Sequence, residues 1–131
     1  MLKKKTEIDW VVHYVFDSVK GIDAHTHGIN SHGHPEIRTV LNLSPKLICA
    51  ILNGVGINIL NGERYDKEGI YNNVLDNGIP VKVKMETIGG EECCVILFPD
   101  ARMKFPGDEG CSKPYSLQLK YLEAIKKSYN E

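Results

Sequence analysis

Four of the chain's five histidines fall within ten residues, in the run Ile22-Asp23-Ala24-His25-Thr26-His27-Gly28-Ile29-Asn30-Ser31-His32-Gly33-His34-Pro35-Glu36. On a strand, His25 and His27 point to the same face with Asp23 beside them. Neutral imidazoles about 7 Å apart along the pleat can converge on one divalent ion such as zinc. His34 or Glu36, brought back by the following turn, would supply a third ligand. An open fourth position would hold a water that zinc acidifies toward pH 7. On this reading His25, His27 and His34 are the metal ligands of a hydrolase, with Glu36 or Asp100 as general base. The other reading needs no metal, because a histidine can bond a backbone carbonyl at a turn and His-Pro favours extended or turn backbone. The same strand–turn–strand unit then presents His25, His27, His34 and Glu36, with Asp100, to a protein or small-molecule partner. That non-catalytic binding module is the leading expectation, and the metal-dependent hydrolase is the alternative.

Other constellations carry less chemistry. Cys111 sits in a Gly/Pro-rich loop without a nucleophile signature around it. Ser44 precedes Pro45 and reads as a helix cap; no G-x-S-x-G is present. Gly54 and Gly56 fall inside a helical pattern, so they form no phosphate cradle and point instead to close packing. Asp108 and Glu109 belong to a solvated acidic loop, and Lys82 and Lys84 to a small solvent-facing basic strip. The H-x-H pair is similar to the strand-end motif of the amidohydrolases, but those are (β/α)₈ barrels, and 131 residues fall short of the roughly 200 that such a barrel needs. A cupin is excluded by the glutamate spacing and by too few strands.

The elements that must position these residues follow from periodicity. Ile8, Val11, Val12, Val15, Phe16 and Val19 recur at helical spacing, with Thr6 as a cap and Gly21 at the end, which predicts a packing-dependent helix. Strands are predicted at about 22–29 and 36–43, the second placing Ile37, Leu41 and Leu43 on one face and Val40 on the other. Ser44-Pro45 opens a helix whose stripe is Leu47, Ile48, Ile51, Leu52, Val55 and Ile59, closed by Asn61-Gly62. Residues 63–79 give no assignment. Gly89-Gly90 marks a tight hairpin. The register then sets Ile88 against Glu91, Met85 against Cys94, Val83 against Ile96 and Val81 against Phe98, while Lys82, Lys84 and Glu86 share a half-wet face with Leu97, Val95 and Cys93. Ser112 and Pro114 open a last helix with the stripe Tyr115, Leu119, Leu122, Ile125 and Tyr129. The expected fold is α+β, a single domain over residues 1–131, with an antiparallel or mixed sheet and three helices mainly on one face.

Composition narrows the function classes. Sixteen Lys+Arg against seventeen Asp+Glu leave a net charge of −1, which argues against general nucleic-acid binding. No apolar run approaches the eighteen residues of a membrane span. Met1-Leu2-Lys3-Lys4-Lys5 reads as a solvated basic tail, since Glu7, Asp9, His13 and Asp17 interrupt the apolar stretch after it. Cys49, Cys93, Cys94 and Cys111 show no C-x-x-C spacing, which suggests a reduced, cytoplasmic protein.

Several segments taken in order resemble a bacterial family known as domain-of-unknown-function family 4262. They are His25–Ile29, Gly33-His34-Pro35-Glu36, Leu41-Asn42-Leu43-Ser44-Pro45, Leu52-Asn53, Gly62-Glu63-Arg64-Tyr65, Ile79–Val83, Phe98-Pro99-Asp100, Phe105–Cys111 and Pro114–Gln118. The resemblance covers about residues 22–120 and implies a shared fold, with no activity attached. In the family pattern many relatives carry tyrosine where His25 stands and an aliphatic residue where His27 stands. The resemblance therefore implies a shared surface at Gly33–Glu36 and the Pro99–Pro106 loop rather than a family-wide metal site. The order of strand, Gly-turn, strand, Pro and helix is also loosely similar to suppressor-of-fused-like domains, which bind proteins.

Overall fold

The computed structural model describes residues 5–17 and 21–129. The strongest sequence signal, the Gly89-Gly90 turn, joins β5 and β6 of a six-stranded mixed sheet. Its strands are β1 (Val11–Asp17), β2 (Gly21–His27), β3 (Glu36–Thr39), β4 (Gly69–Tyr71), β5 (Val81–Ile88) and β6 (Glu91–Leu97). The spatial order is β1-β2-β3-β6-β5-β4, antiparallel throughout except for the parallel β3–β6 pair. The β5–β6 register matches the expected one across Ile88–Glu91, Met85–Cys94 and Val83–Ile96. Strand alternation sends these residues to two opposite faces, and both faces are covered.

On one face lies α1 (Pro45–Leu60), whose N-terminus is capped as expected: the Ser44 hydroxyl accepts from the Leu47 amide at 3.2 Å. Ile48, Leu52, Val55 and Ile59 pack there against Ile22, Ala24, Ile37, Val83, Cys94 and Ile96. Trp10 closes this core from the chain's N-terminal side, its indole N–H donating to Asn53 Oδ1 at 2.9 Å. Gly56 permits the approach, since a Cβ there would stand 2.3 Å from Trp10 Cζ2; a Cβ at Gly54 would meet nothing within 4 Å. The close packing expected of both glycines thus belongs to Gly56 alone.

The opposite face carries α2 (Gln118–Tyr129), entered through a short 3₁₀ turn at Tyr115–Leu117. Leu122 and Ile125 bury Val40, Ile88, Cys93, Val95 and Leu97. The face expected to be half-wet is therefore dry on its β6 side. Gln118 fastens the helix to the end of β6, accepting from the Phe98 amide at 2.9 Å and donating to the Phe98 carbonyl at 2.7 Å.

Two expectations need correction. Residues 11–17 form the edge strand β1 and not a helix, so two α-helices, not three, stand among the described residues, and they cover opposite faces. The physical reason is that Val11, Val12, Tyr14, Val15 and Phe16 satisfy a period of two as well as one near 3.6. Their β-branched and aromatic side chains favour the strand once β2 is there to pair with. Val19, at the end of the expected helix, and Met1–Lys4 of the expected tail lie outside the described residues. The stretch 63–79, which gives no assignment from sequence, supplies β4 and the buried Tyr65.

Candidate functional site

β1 pairs with β2 in a register that sets Val11 against His27, His13 against His25 and Val15 against Asp23. Directly opposed residues on antiparallel strands share a face. One side of this hairpin therefore carries Asp23, His25 and His27 from β2 and His13 from β1. The His13 and His25 rings stack with centroids 5.3 Å apart, and His13 meets His27 edge-on at 5.8 Å. His13 and His27 are exposed, while His25 is half-buried.

Beneath this row lies a cleft of about 100 Å³, lined by His25, His27, Glu36, Arg38, Cys93 and Tyr129 among others. Arg38 is 6% exposed and forms an ion pair with Asp23 through Nη1, and its guanidinium sits 5.3 Å from the centre of the Tyr129 ring. Tyr129 donates its hydroxyl to the other Asp23 oxygen at 3.2 Å. Burial works to raise the Asp23 carboxyl, but His25 and Arg38 outweigh it and hold the group below its ordinary value. His25 Nδ1 stands 3.4 Å from Asp23 Oδ1, within ion-pair reach but without hydrogen-bond geometry. That Nδ1 and Arg38 Nε are buried polar atoms without a hydrogen-bond partner, although Asp23 lies beside both side chains. Buried polar groups are normally satisfied, so these two atoms stand out in the cleft wall. Burial pushes the Cys93 thiol up to about 11, so it stays protonated and inert at neutral pH.

The remaining nominated residues are built into the scaffold. His34, 2% exposed, has both ring nitrogens engaged: Nδ1 with the Pro35 carbonyl at 2.8 Å, and Nε2 accepting from the Tyr65 amide at 2.9 Å. Burial, with Arg64 nearby, holds its pKa below the ordinary histidine value, against the bond to Pro35. It does not line the cleft, so the expected meeting of His34 with His25 and His27 does not occur. Glu36 reaches the cleft wall, but its carboxylate accepts from Thr26 Oγ1 at 2.8 Å and from the amides of Gly28, Ile29 and Asn30 at 3.0, 3.0 and 3.2 Å. Asp100 likewise accepts from the amides of Arg102, Lys104 and Ser112 and from the Ser112 hydroxyl. These bonds, the Ser112 amide first, draw its carboxyl down to about 2. A carboxylate offers about four acceptor positions, and both groups have four filled. His32 turns away to Asp9, at 2.7 Å.

Periodicity missed three contributors to the site: His13, Arg38 and Tyr129. For His13 a signal existed, the alternation of residues 11–17. Arg38 and Tyr129 meet only through tertiary packing of β3 and α2. Among the described residues, no group of three or more His, Cys, Asp or Glu side chains is arranged, as it stands, to hold a metal ion.

A family model described as a domain of unknown function, DUF4262, matches residues 6–112. The chain belongs to the DUF4262 family. No curated protein and no solved structure gives a significant match. The DUF4262 match takes in β1–β6 and α1, hence His13, Asp23, His25, His27 and Arg38, and stops short of α2 and Tyr129. Among the described residues no helix is long and apolar enough to cross a membrane.

Proposed function

We propose that this protein is a non-catalytic binding module whose ligand surface is the outer face of the β1–β2 hairpin, presented by His13, His25 and His27 above the Asp23–Arg38 pair. The observation that supports it most is the division of labour among polar groups. Glu36, His34 and Asp100 have their bonding capacity used within the fold, whereas the hairpin histidines project from it, and the half-buried ring and the arginine beneath retain unpaired N–H or lone-pair capacity. Exposed polar rings such as His13 and His27, beside a cleft, are the ones a partner can meet. The hydrolase alternative has no comparable support, since both nominated bases are occupied. The four cysteines, all free, fit the reducing cytoplasm in which we place the protein.

The test is capture of a protein or small molecule from cell extract by the immobilised chain, compared with a His13→Ala/His27→Ala variant of unchanged melting temperature. Recovery by the parent and loss by the variant is the expected result. Equal recovery by both, or none by either, removes the reading.

A further inference from the structure

We propose that the outer edge of β1 is an interface at which two copies of this chain join, their β1 strands pairing antiparallel about a two-fold axis through Tyr14. This goes beyond the ligand reading and does not depend on it, because it uses the backbone edge of the strand.

The six-stranded sheet ends on two edges, and they are finished differently. β4 closes one side with three residues, a length that itself blunts an edge. β1 closes the other with seven, and among the described residues it pairs with β2 alone. An edge strand presents a row of backbone N–H and C=O groups, which folded proteins shield with lysines, proline, a bulge or a covering segment. Val11–Asp17 contains no lysine, arginine or proline, and its register with β2 runs unbroken over all seven residues. Val11, Val15 and Phe16 are each more than half exposed along it. A long apolar edge of this kind is a template for another strand.

The sequence of the strand suits its own copy. With the axis through Tyr14, the middle residue, all seven residues of each copy are paired: Tyr14 with Tyr14, His13 with Val15, Val12 with Phe16 and Val11 with Asp17. Opposed residues share a face, and Val12 against Phe16 is a β-branched–aromatic pair that occurs twice. No like charges meet, because residues 11–16 hold no carboxylate, lysine or arginine and the two Asp17 side chains lie at opposite ends of the joint. The same symmetry puts both histidine faces on one side of a continuous sheet. Pairing β1 with β4 of another copy would match seven residues to three and leave edges free at each end, growing chains instead of closing. The joint is small: seven residues at about 3.4 Å each span about 24 Å, an edge strip short of the roughly 800 Å² per partner of a standard interface. Its attraction comes largely from about six to eight backbone hydrogen bonds, so the dimer is weak and concentration-dependent.

Sedimentation of the full 131-residue chain, tag-free, from about 1 µM to about 1 mM should show a reversible monomer–dimer equilibrium that stops at the dimer. Hydrogen exchange at low and high concentration locates the contact. Alternate residues of an edge strand point their amides outward, so every second amide of β1 should slow as concentration rises, while those of β4 should not. Val15→Lys, whose ammonium reaches water in the monomer, should weaken association at least about 10-fold at unchanged melting temperature. Ile70→Lys, an equally exposed change on β4, should leave association intact. The exchange measurement needs no variant and carries the test if Val15→Lys fails to fold. A monomer throughout the range, growth beyond the dimer, concentration-dependent protection outside β1, or equal loss with Ile70→Lys overturns the proposal.

Discussion

Glu36→Gln separates a scaffold role from a site role at one of the two residues, with Asp100, that sequence patterning offered as a base. The substitution keeps size and shape and exchanges one acceptor oxygen for an NH₂ donor. With Oε1 retained toward Thr26 Oγ1 and the Ile29 amide, the new NH₂ would face the amides of Gly28 and Asn30, which now donate to Oε2 at 3.0 and 3.2 Å. Donor then meets donor. Hydrogen bonds to a charged group contribute about 1.5–3 kcal/mol each, so losing two costs about 3–6 kcal/mol before relaxation. Both affected amides are only partly buried, and water recovers a share, leaving roughly 2–4 kcal/mol. For a domain of this size that is a fall in Tm on the order of 10 °C. Urea denaturation gives the energy, and amide exchange at Gly28 and Asn30 locates it in the 3₁₀ turn Ile29–His32. A loss below about 0.5 kcal/mol with native exchange at both amides would refute the reasoning, since surface substitutions fall in that range. Glu36 would then be free to act on a ligand.

The remaining predictions concern the scaffold around the site. Gly54→Ala, with open space around the new Cβ, should stabilise the protein by about 0.5–1 kcal/mol in thermal melts. Gly56→Ala should destabilise it by about 1–3 kcal/mol and shift the emission of the single tryptophan as Trp10 gives way. His34 resists protonation when folded but titrates near its ordinary 6.5 when unfolded, so the unfolded chain takes up the extra proton and stability should fall as pH drops below about 6.5. His34→Gln should flatten that slope in urea midpoints measured against pH. Asp100, depressed to about 2 when folded, contributes stability above its ordinary 3.8 and loses it as pH falls toward 2. Asp100→Asn should therefore remove that group's share of the acid limb and lower stability at neutral pH; a slope between about pH 4 and 2 unchanged from the parent would count against the assignment.

What the sequence made legible tracks the locality of the determinant. The Ser44 cap, the α1 stripe and the Gly89-Gly90 register are each written within a few residues, and each appears in the structure. The face of α2 depends on which strands lie beneath it, so periodicity gave its stripe but not the side of the sheet it covers. β1 failed for a sharper reason: seven residues rich in valine and aromatics satisfy two periods, and only pairing with β2 decides between them. The site inherited this error. His25 and His27 were legible as a pair because strand alternation is local, whereas His13 could join them only once residue 13 lay on a strand opposite residue 25. Patterning also could not tell a free polar side chain from a committed one. Glu36 and His34 look as reactive in the sequence as His27 does, yet their partners include backbone amides, which carry no signature in residue type.

The same division explains why the hairpin face can be altered without disturbing the fold. His13 and His27 are exposed and make their ring contacts within the histidine row, whereas the β1–β2 ladder is held by backbone bonds and by Val12 and Tyr14 packing toward α1. The three rings meet one another rather than the core, so they add no packing that a row of threonines would not supply. Asp23 and Arg38 sharpen the point. A buried ion pair is weak evidence for stability, since well-packed apolar residues of similar volume do as well or better. Here the pair sets a carboxylate beside His25, one of the two histidines that line the cleft. The histidine row and the ion pair beneath it are therefore the features that the proposed binding role, rather than packing, would account for.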